Sequence, residues 1–445
     1  MANNNSYEPQ TLGEKRAFVN VRLVDPESGL DVLGSLLIFD GKIMDLGPRL
    51  FADGLPSDIT TIDGGGHCLC PGLIDMRAFV GEPGAEHKET LSTASAAAAI
   101  GGITTLIATP DTDPTIDDVA LVELLERSAQ DTARVNVHPM AAITKGLRGV
   151  EMTEMGLLAS AGAVAFTDGN VTISDALVMR RALAYASTFD LLIDHLPQEN
   201  SLSAEGCTNE GEVATRLGLT GIPSVAESIV LDRDLRLTEL TGSRLHASHL
   251  TTEMSISAVR NAKARDVRVT CSVTPHHFTL NETAIGEYRT FAKTWPPLRS
   301  ESDRCALIDG LSDGTVDVIS SGHTPQDQES KRLPFAQAAT GISGLETMLP
   351  LALDLYHKGK LSLHTLLQKM TSTPARLLNL KSGRLISGAP ADLILIDIDS
   401  PWLIDPDQFL SKSKNSPFEK HPVQGRVLQT LVAGQPVYDR TLQPT

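Results

Sequence analysis

Short apolar runs rich in β-branched residues alternate with longer segments of helical periodicity through the middle of the chain. These runs predict strands near 68–79, 103–109, 134–143, 163–167, 190–195, 244–249, 267–274 and 315–321. Helices are expected between them, for example over 87–100, which contains an alanine run, and over 254–264. Strands that alternate with helices favour a parallel sheet, and eight such units are what a closed (β/α)8 barrel requires.

Strand patterns without intervening helices occupy both ends of the chain. Near the N-terminus they cover 17–24 and 34–39, and the second run is followed by an Asp40-Gly41 turn. Strand patterns return at 383–397 and 426–432. Two strand-rich ends around a helix–strand middle predict one small β domain that is built from both termini.

The length of the chain agrees with this division. At 445 residues it is too long for one ordinary core, but a barrel with one smaller domain fits. We therefore predict a composite β-sandwich domain from residues 1–66 and 380–445, around a barrel of residues 67–379. The polar residues 1–8 lack the apolar core of a signal peptide and are expected to form a short disordered tail.

Composition limits the classes of binding partner and the cellular compartment that we expect for this chain. Asp and Glu outnumber Lys and Arg by 55 to 38, and the resulting charge of −17 argues against nucleic acid or an anionic membrane as a partner. No stretch of about 18 apolar residues predicts a membrane span. The five cysteines are scattered, which is typical of reduced thiols in a cytoplasm. Cys68 and Cys70 share one face of a predicted strand, where two small buried residues are favoured over a metal pair.

Residues 71–84 carry the most informative motif, Pro-Gly-Leu-Ile-Asp-Met-Arg-Ala-Phe-Val-Gly-Glu-Pro-Gly. It resembles the first barrel strand of the dihydroorotases, a family of the amidohydrolase superfamily, in which Pro-Gly-Leu-Ile-Asp leads to a metal-binding His-x-His pair. Other motifs extend the resemblance over about residues 17–438; they are Gly101-Gly-Ile-Thr-Thr105, Gly162-Ala-Val-Ala-Phe-Thr-Asp168, His246-Ala-Ser-His249, Val273-Thr-Pro-His-His277, Pro296-Pro-Leu-Arg-Ser300 and Gly341-Ile-Ser-Gly-Leu-Glu-Thr347. The resemblance implies an α/β fold, a (β/α)8 TIM barrel of the amidohydrolase type with a small β-sandwich domain.

The resemblance also implies a zinc centre at the barrel mouth. In the family, the ligands are the His-x-His pair, an Asp after strand 4, one His each on strands 5 and 6, and a strand 8 Asp that also shuttles the proton. This chain replaces most of them. The corresponding positions are Arg77 and Phe79 for the pair, Asp168 after strand 4, Asp194 (with His195 beside it) on strand 5, His249 on strand 6 and Gly322 for the proton shuttle.

The family's substrate contacts are replaced as well. The Arg that grips the substrate carboxylate is Gly81, and the Asn of Met-Pro-Asn-Thr is Asp111, which repels a carboxylate. Trp295 stands for the Asn before Pro-Pro-Leu-Arg, and Gln326 for the last His of the strand 8 motif. The adjacent pair His276-His277 is expected to pack near the site rather than to bind metal.

These replacements favour a catalytically inactive dihydroorotase-like chain with no cofactor and no catalytic residue. Asp168, Asp194 and His249 are then vestigial metal candidates, and an ion pair from Arg77 to Asp168 or Asp194 would replace the metal's charge. The resemblance implies a partner, the aspartate transcarbamoylase catalytic chain, which this protein would help to assemble or stabilise in pyrimidine biosynthesis. A homo-oligomer within that hetero-oligomer is expected.

Two alternatives stay open. The first is an active zinc-dependent dihydroorotase or related cyclic amidohydrolase, with a rearranged metal site formed by Asp168, by Asp194 or His195, and by His249. The second is a hydantoinase-like or collapsin-response-type relative with a structural role. The Glu82-Pro-Gly84 and Pro296-Pro-Leu-Arg299 motifs favour the dihydroorotases over that second class.

Overall fold

The fold was analysed in a computed structural model that describes residues 15–440. The tail predicted over residues 1–8 lies outside this range. The strands of the described residues are β1 Lys15–Asp25, β2 Leu30–Phe39, β3 Lys42–Gly47, β4 Ile59–Asp63, β5 Cys68–Pro71, β6 Leu73–Ala78, β7 Ile103–Ala108, β8 Asn136–Ala141, β9 Ala165–Phe166, β10 Leu192–His195, β11 Thr208–Asn209, β12 Gly221–Ile222, β13 Arg244–Ala247, β14 Val269–Val273, β15 Val318–Ile319, β16 Leu393–Leu403, β17 Pro422–Val432 and β18 Gln435–Asp439.

Helices separate most of the central strands. They are α1 Leu91–Ile100, α2 Val119–Thr132, α3 Met155–Ser160, α4 Ala176–Thr188, α5 Asn200–Ser203, α6 Glu212–Leu217, α7 Val225–Thr241, α8 Glu253–Lys263, α9 Pro275–Thr279, α10 Glu301–Asp313, α11 Gln328–Lys331, α12 Met348–His357, α13 Leu363–Gln368 and α14 Ser372–Leu377. Between residues 15 and 440, no helix has both the length and the apolar character needed to cross a membrane.

Eight parallel strands form a nearly closed barrel. Their order is β6-β7-β8-β9-β10-β13-β14-β15, and a parallel bridge between Ala78 and His323 joins the first strand to the segment that follows the last. Phe79 strengthens this closure by donating its backbone N–H to the carbonyl oxygen of His323 at 3.0 Å. The predicted (β/α)8 barrel of the amidohydrolase type is confirmed.

Both ends of the chain meet in one mixed sheet, which we call the terminal sheet. Its order is β18-β17-β16-β5-β1-β2-β3, with β4 beside β1. Its core is apolar and combines the two termini, since Phe18 and Leu36 pack with Leu393 and Leu431. The boundaries at residues 66 and 380 stay a prediction.

The predicted strand over 68–79 is two strands that belong to different sheets. β5 pairs antiparallel with β16 in the terminal sheet, whereas β6 pairs parallel with β7 in the barrel. The sequence does not show this division, because every residue of both strands is buried and the alternation of exposed and buried positions is absent. The helix predicted over 87–100 begins later, at Leu91, because Thr90 and Thr93 form a capping box there.

Candidate functional site

Arg77 lies at the C-terminal end of β6, the end at which a barrel carries its functional side chains. Its side chain is 4% exposed and forms an ion pair with Asp194 on β10. Nη1 also donates to the hydroxyl of Thr167 at 3.2 Å, and Nη2 donates to the carbonyl oxygen of Gly169. The expected ion pair is therefore formed with Asp194 rather than with Asp168, and a guanidinium stands at the barrel mouth.

Asp194 and His195 point to opposite sides of β10, as successive strand residues do. Asp194 faces the lumen and also accepts the hydroxyl of Ser248 at 2.6 Å. Nε2 of His195 accepts the backbone N–H of Ile173 at 3.0 Å, so its proton lies on Nδ1, which donates to Asp234 at 2.6 Å. Both ring nitrogens of His195 are thus engaged outside the lumen, and this histidine is not a ligand at the mouth.

Asp168 is buried and turned toward Thr144. Its Oδ1 accepts the backbone N–H of Thr144 at 2.8 Å, and its Oδ2 accepts the hydroxyl of the same residue. Burial raises the pKa of Asp168, while the hydrogen bonds from Thr144 oppose that rise. This carboxylate is therefore held by Thr144 and takes no part in the ion pair of Arg77.

His249 follows β13 in a left-handed backbone conformation, with φ of +52°, which non-glycine residues adopt infrequently. Its ring is buried, and Nε2 has no hydrogen-bond partner among residues 15–440. Burial, followed by the charge of Arg77, holds the pKa of His249 well below its usual value. At pH 7 His249 is therefore a neutral imidazole with an unused nitrogen beside the guanidinium.

Gly322 takes the place of the carboxylate that shuttles protons in the dihydroorotases, and His276 occupies the space beside it. The φ of Gly322 is +64°, and a Cβ there would lie 2.6 Å from Cε1 of His276. No real Cβ contact is that short, so a side chain at position 322 would displace the imidazole. The ring of His276 therefore fills the space that the family's carboxylate would need.

The hydrogen bonds of this histidine pair define its tautomers. Nε2 of His277 must donate to the carbonyl oxygen of Pro296, at 3.0 Å, so its Nδ1 accepts the hydroxyl of Thr274 at 2.7 Å. The Thr274 oxygen then accepts from Nε2 of His276 at 3.0 Å. Nδ1 of His276 is left with a lone pair and no partner among the described residues. Burial lowers the pKa of His277 to about 4 and that of His276 well below its usual value, so both rings are neutral at pH 7.

The positions of the family's carboxylate clamp cannot hold an anion. A Cβ on Gly81, with φ of +75°, would lie 2.1 Å from the carbonyl oxygen of Glu89, so this position has no room for an arginine. Asp111 lies against Gly169, and its buried Oδ1 has no hydrogen-bond partner among residues 15–440. A second negative charge would not be stable beside that oxygen.

The two remaining substrate positions line the edge of the mouth. Gln326 donates from Nε2 to the carbonyl oxygen of Thr340 at 2.9 Å. Trp295 lines a cavity of about 270 Å³ together with Thr340 and the buried Lys293 and Cys207. Arg77, His249 and His276 do not line this cavity.

The residues at the mouth do not fit the zinc ion that the resemblance implies. A zinc site needs about three protein ligands in tetrahedral geometry. No three His, Cys, Asp or Glu side chains within residues 15–440 come together in this way. Asp168 faces Thr144, Asp194 is bound by Arg77, and His249 is left alone. The rearranged metal site expected from Asp168, Asp194 or His195, and His249 is therefore not assembled.

The sequence did not point to the hydroxyl residues that hold this arrangement. Thr144, Thr167, Ser248 and Thr274 each bind at least one of the ionisable groups at the mouth. Threonine and serine are too common for such a role to stand out in one sequence. The one available signal was Gly322, because a glycine in place of a large side chain predicts that another group fills the space.

Comparisons with protein families and with individual proteins both relate this chain to the dihydroorotases. A family described as dihydro-orotase-like matches residues 66–255, and one described as the amidohydrolase family matches residues 339–438. The dihydroorotase of Ehrlichia chaffeensis is 45% identical over 95% of this chain and 94% of its own length. The dihydroorotase of Desulforapulum autotrophicum is 44% identical over 96% of this chain and 99% of its own length.

Solved structures share the fold. L-hydantoinase (dihydropyrimidinase) from Arthrobacter aurescens superimposes with a TM-score of 0.86 over 96% of both chains, at 24% identity. Dihydropyrimidinase from Brevibacillus agri gives 0.83 over 96% of this chain and 95% of its own, at 21% identity. At these identities the likeness concerns the architecture, a barrel with a terminal sheet.

The expectation of a catalytically inactive chain that assembles aspartate transcarbamoylase is wrong on these comparisons. Relatives that are 41–45% identical over nearly the whole chain are named dihydroorotase, which is the name of an enzyme. Missing ligand residues do not by themselves show inactivity, because other side chains occupy the space, as His276 does beside Gly322. The comparisons favour the alternative of an active cyclic amidohydrolase. The transcarbamoylase partner and the cytoplasmic location are not tested by them.

Proposed function

This chain belongs to the dihydroorotase family, and on that premise we propose that it hydrolyses a cyclic amide at the mouth of its barrel. The observation that carries the proposal is the 41–45% identity, over 94–97% of the chain, to proteins named dihydroorotase. The residues at the mouth do not fit a zinc ion, so the reaction is derived from the side chains that are present.

Arg77 supplies the positive charge of the proposed site. A guanidinium has five N–H donors, and the bonds of Arg77 to Asp194, Thr167 and Gly169 use three of them. The remaining donors are available to a substrate carbonyl oxygen. A fixed cation in a site withdrawn from water stabilises the negative charge that develops on that oxygen during attack by water.

His276 supplies the proton acceptor. As a water oxygen bonds to the carbonyl carbon of the ring amide, one water proton moves to Nδ1 of His276. The carbon–nitrogen bond then breaks, and the ring nitrogen takes that proton, which regenerates neutral His276 and leaves a carboxylic acid on the opened chain. His249 is near enough to both groups to interact with them: after burial, the charge of Arg77 lowers the pKa of His249, and a charge on His249 would lower that of His276.

A second candidate reaction is the hydrolysis of a cyclic amide whose ring carries no carboxylate. Asp111 has a buried oxygen without a partner, and Gly81 has no room for a clamping arginine, so both positions disfavour an anionic ring. An uncharged cyclic amide such as dihydrouracil or hydantoin avoids this repulsion. Dihydroorotate is the substrate that the names of the relatives suggest.

The test is a ring-opening assay with dihydroorotate, dihydrouracil and hydantoin. We expect turnover of at least one of the three, and a loss of about 10²–10⁴ in kcat with little change in KM for His276→Gln, because the proton acceptor is removed. His87→Gln, on the exposed surface, is the matched control. No ring opening of any substrate would contradict the proposal, and an unchanged kcat in His276→Gln would remove this residue from it.

A further inference from the structure

A second cavity lies outside the barrel, between helices α1 and α12 and the terminal sheet. Its volume is about 480 Å³, which is within the usual range for small-molecule sites. Its walls include Trp402 and Phe409 as aromatic faces and Arg426 and Arg440 as cations. None of the residues that we place at the barrel mouth lines this cavity.

The two arginines of this cavity are not neutralised. Neither Arg426 nor Arg440 forms an ion pair or a side-chain hydrogen bond to an acidic residue in the part of the chain from 15 to 440. The guanidinium of Arg426 lies over the ring of Trp402, 4.6 Å from its centroid. Burial and the charge of Arg440 both lower the pKa of Arg426. Two guanidinium groups that face one cavity can bind the same anion, with charge-assisted hydrogen bonds from both.

The carboxyl groups of the same cavity are engaged elsewhere. Glu346 accepts the backbone N–H groups of Leu410 and Ser411 at 2.6 and 3.1 Å, and burial raises its pKa to about 8. It is therefore mostly neutral at pH 7. Asp405 accepts the backbone N–H of Asp407 at 3.1 Å, at the start of a short helical turn. Neither group forms an ion pair with Arg426 or Arg440 in the described part of the chain, although Asp405 also lines the cavity.

We propose that this cavity binds a small organic phosphate that carries a planar ring, of the size of a nucleoside monophosphate. The phosphate lies between Arg426 and Arg440, because a dianionic group matches two guanidinium donors. The ring packs against the apolar side of the cavity, where Phe409 and Val427 are buried. Nothing in this site depends on the proposed hydrolysis at the barrel mouth.

Calorimetric titration of the full chain tests the site. The probes are uridine and adenosine 5′-monophosphates. The two nucleosides and inorganic phosphate, which are the parts of these nucleotides, are titrated separately for comparison. We expect the nucleotides to bind more tightly than either part. Arg426→Met, which keeps an apolar stem against Trp402, and Arg440→Met should each weaken nucleotide binding by at least about tenfold, since each removes a charge-assisted contact. Arg127→Met, an exposed arginine on α2, is the matched control.

Three results would overturn the proposal. The first is the absence of binding of either nucleotide at millimolar concentration. The second is equal affinity for nucleotide and inorganic phosphate, which would show that the ring does not contribute to binding. The third is unchanged affinity in both arginine variants. Thermal unfolding of each variant shows whether it is folded, and the exposed Arg440 provides a variant that leaves the packing on Trp402 intact.

Discussion

At the barrel mouth, the side chain of Arg77 places a permanent positive charge among groups that are withdrawn from water. Removing two charges from water is costly, and this cost is recovered only when each charge keeps its partners. Asp194 has such partners in Arg77 and Ser248. The intact ion pair therefore adds little net stability, whereas removal of one partner would leave an uncompensated buried charge.

Replacement of Arg77 tests this dependence. Arg77→Met leaves the carboxylate of Asp194 buried without its cation, so we expect the free energy of unfolding to fall by about 3–5 kcal/mol. Adding Asp194→Asn should recover most of that loss, because the uncompensated charge is removed. Urea denaturation measures both variants. Arg265→Met, which breaks a half-exposed pair with Glu239, should change the stability by less than about 1 kcal/mol. Equal instability of the single and double variants would contradict the account.

The buried histidines predict a loss of stability in acid. Burial depresses the folded-state pKa of His277 to about 4, below the ordinary value of 6.5. The contribution of such a group is fully present above pH 6.5 and is lost as the pH falls toward 4. At about 1.4 kcal/mol for each pKa unit, the loss is about 3 kcal/mol.

Urea denaturation at pH 7 and at pH 4.5 measures this contribution. His277→Gln keeps a donor for the carbonyl oxygen of Pro296 but cannot titrate, so its stability should fall less between the two pH values. The exposed His87→Gln should retain the full difference. The same pH dependence in His277→Gln and in the unchanged chain would show that His277 does not titrate as described.

At the scale of elements, the segments that follow β14 and β15 pack against each other at the barrel mouth. The segment after β15 has no side chain at Gly322, and the imidazole of His276, in the segment after β14, occupies the space beside it. This compensation explains how one position can lose a carboxylate while the barrel stays packed. It also predicts that the two positions are coupled.

A double-mutant cycle measures that coupling. Gly322→Ala should destabilise the chain both through overpacking against His276, at about 1–3 kcal/mol, and through its positive φ. In a His276→Ala background the cost should be smaller, because only the backbone cost of about 1–2 kcal/mol and the 2.9 Å contact with Cγ2 of Thr274 remain. Gly218→Ala provides this cost directly, because Gly218 has φ of +63° and no neighbouring atom within 4 Å of its Cβ position. Identical costs of Gly322→Ala in the two backgrounds would contradict the coupling.

The same scale shows what could be predicted from the sequence. The eight barrel strands were located because each is a short apolar run between helices, even where only Val318 and Ile319 form the regular part. The division between β5 and β6 was missed, since burial on all sides removes the alternation that separates sheets. The sequence of the mouth shows which family side chains are replaced, but it does not show which groups occupy their space. The contact of His276 with Gly322 depends on packing between strands, which a single sequence does not contain.

At the scale of the molecule, the chain has the fold of the dihydroorotase family, but the residues at its barrel mouth differ from the family's metal ligands and substrate contacts. The barrel and terminal sheet position the strand ends, and the identity to named dihydroorotases extends over nearly the whole chain. The net charge of −17 gives no long-range attraction for an anionic substrate, which agrees with an uncharged ring as the second candidate. We propose that Arg77 and neutral histidines carry out the hydrolysis at the mouth of this barrel.

The most direct test is to measure ring opening and bound zinc in the same preparation, before and after treatment with a chelator. We expect turnover by protein that carries far less than one zinc ion per chain, at a rate that chelation leaves unchanged. Turnover that rises and falls with the zinc content would contradict it, because the charge at the mouth would then come from a metal rather than from Arg77. Absence of turnover in every preparation would contradict the proposed hydrolysis itself.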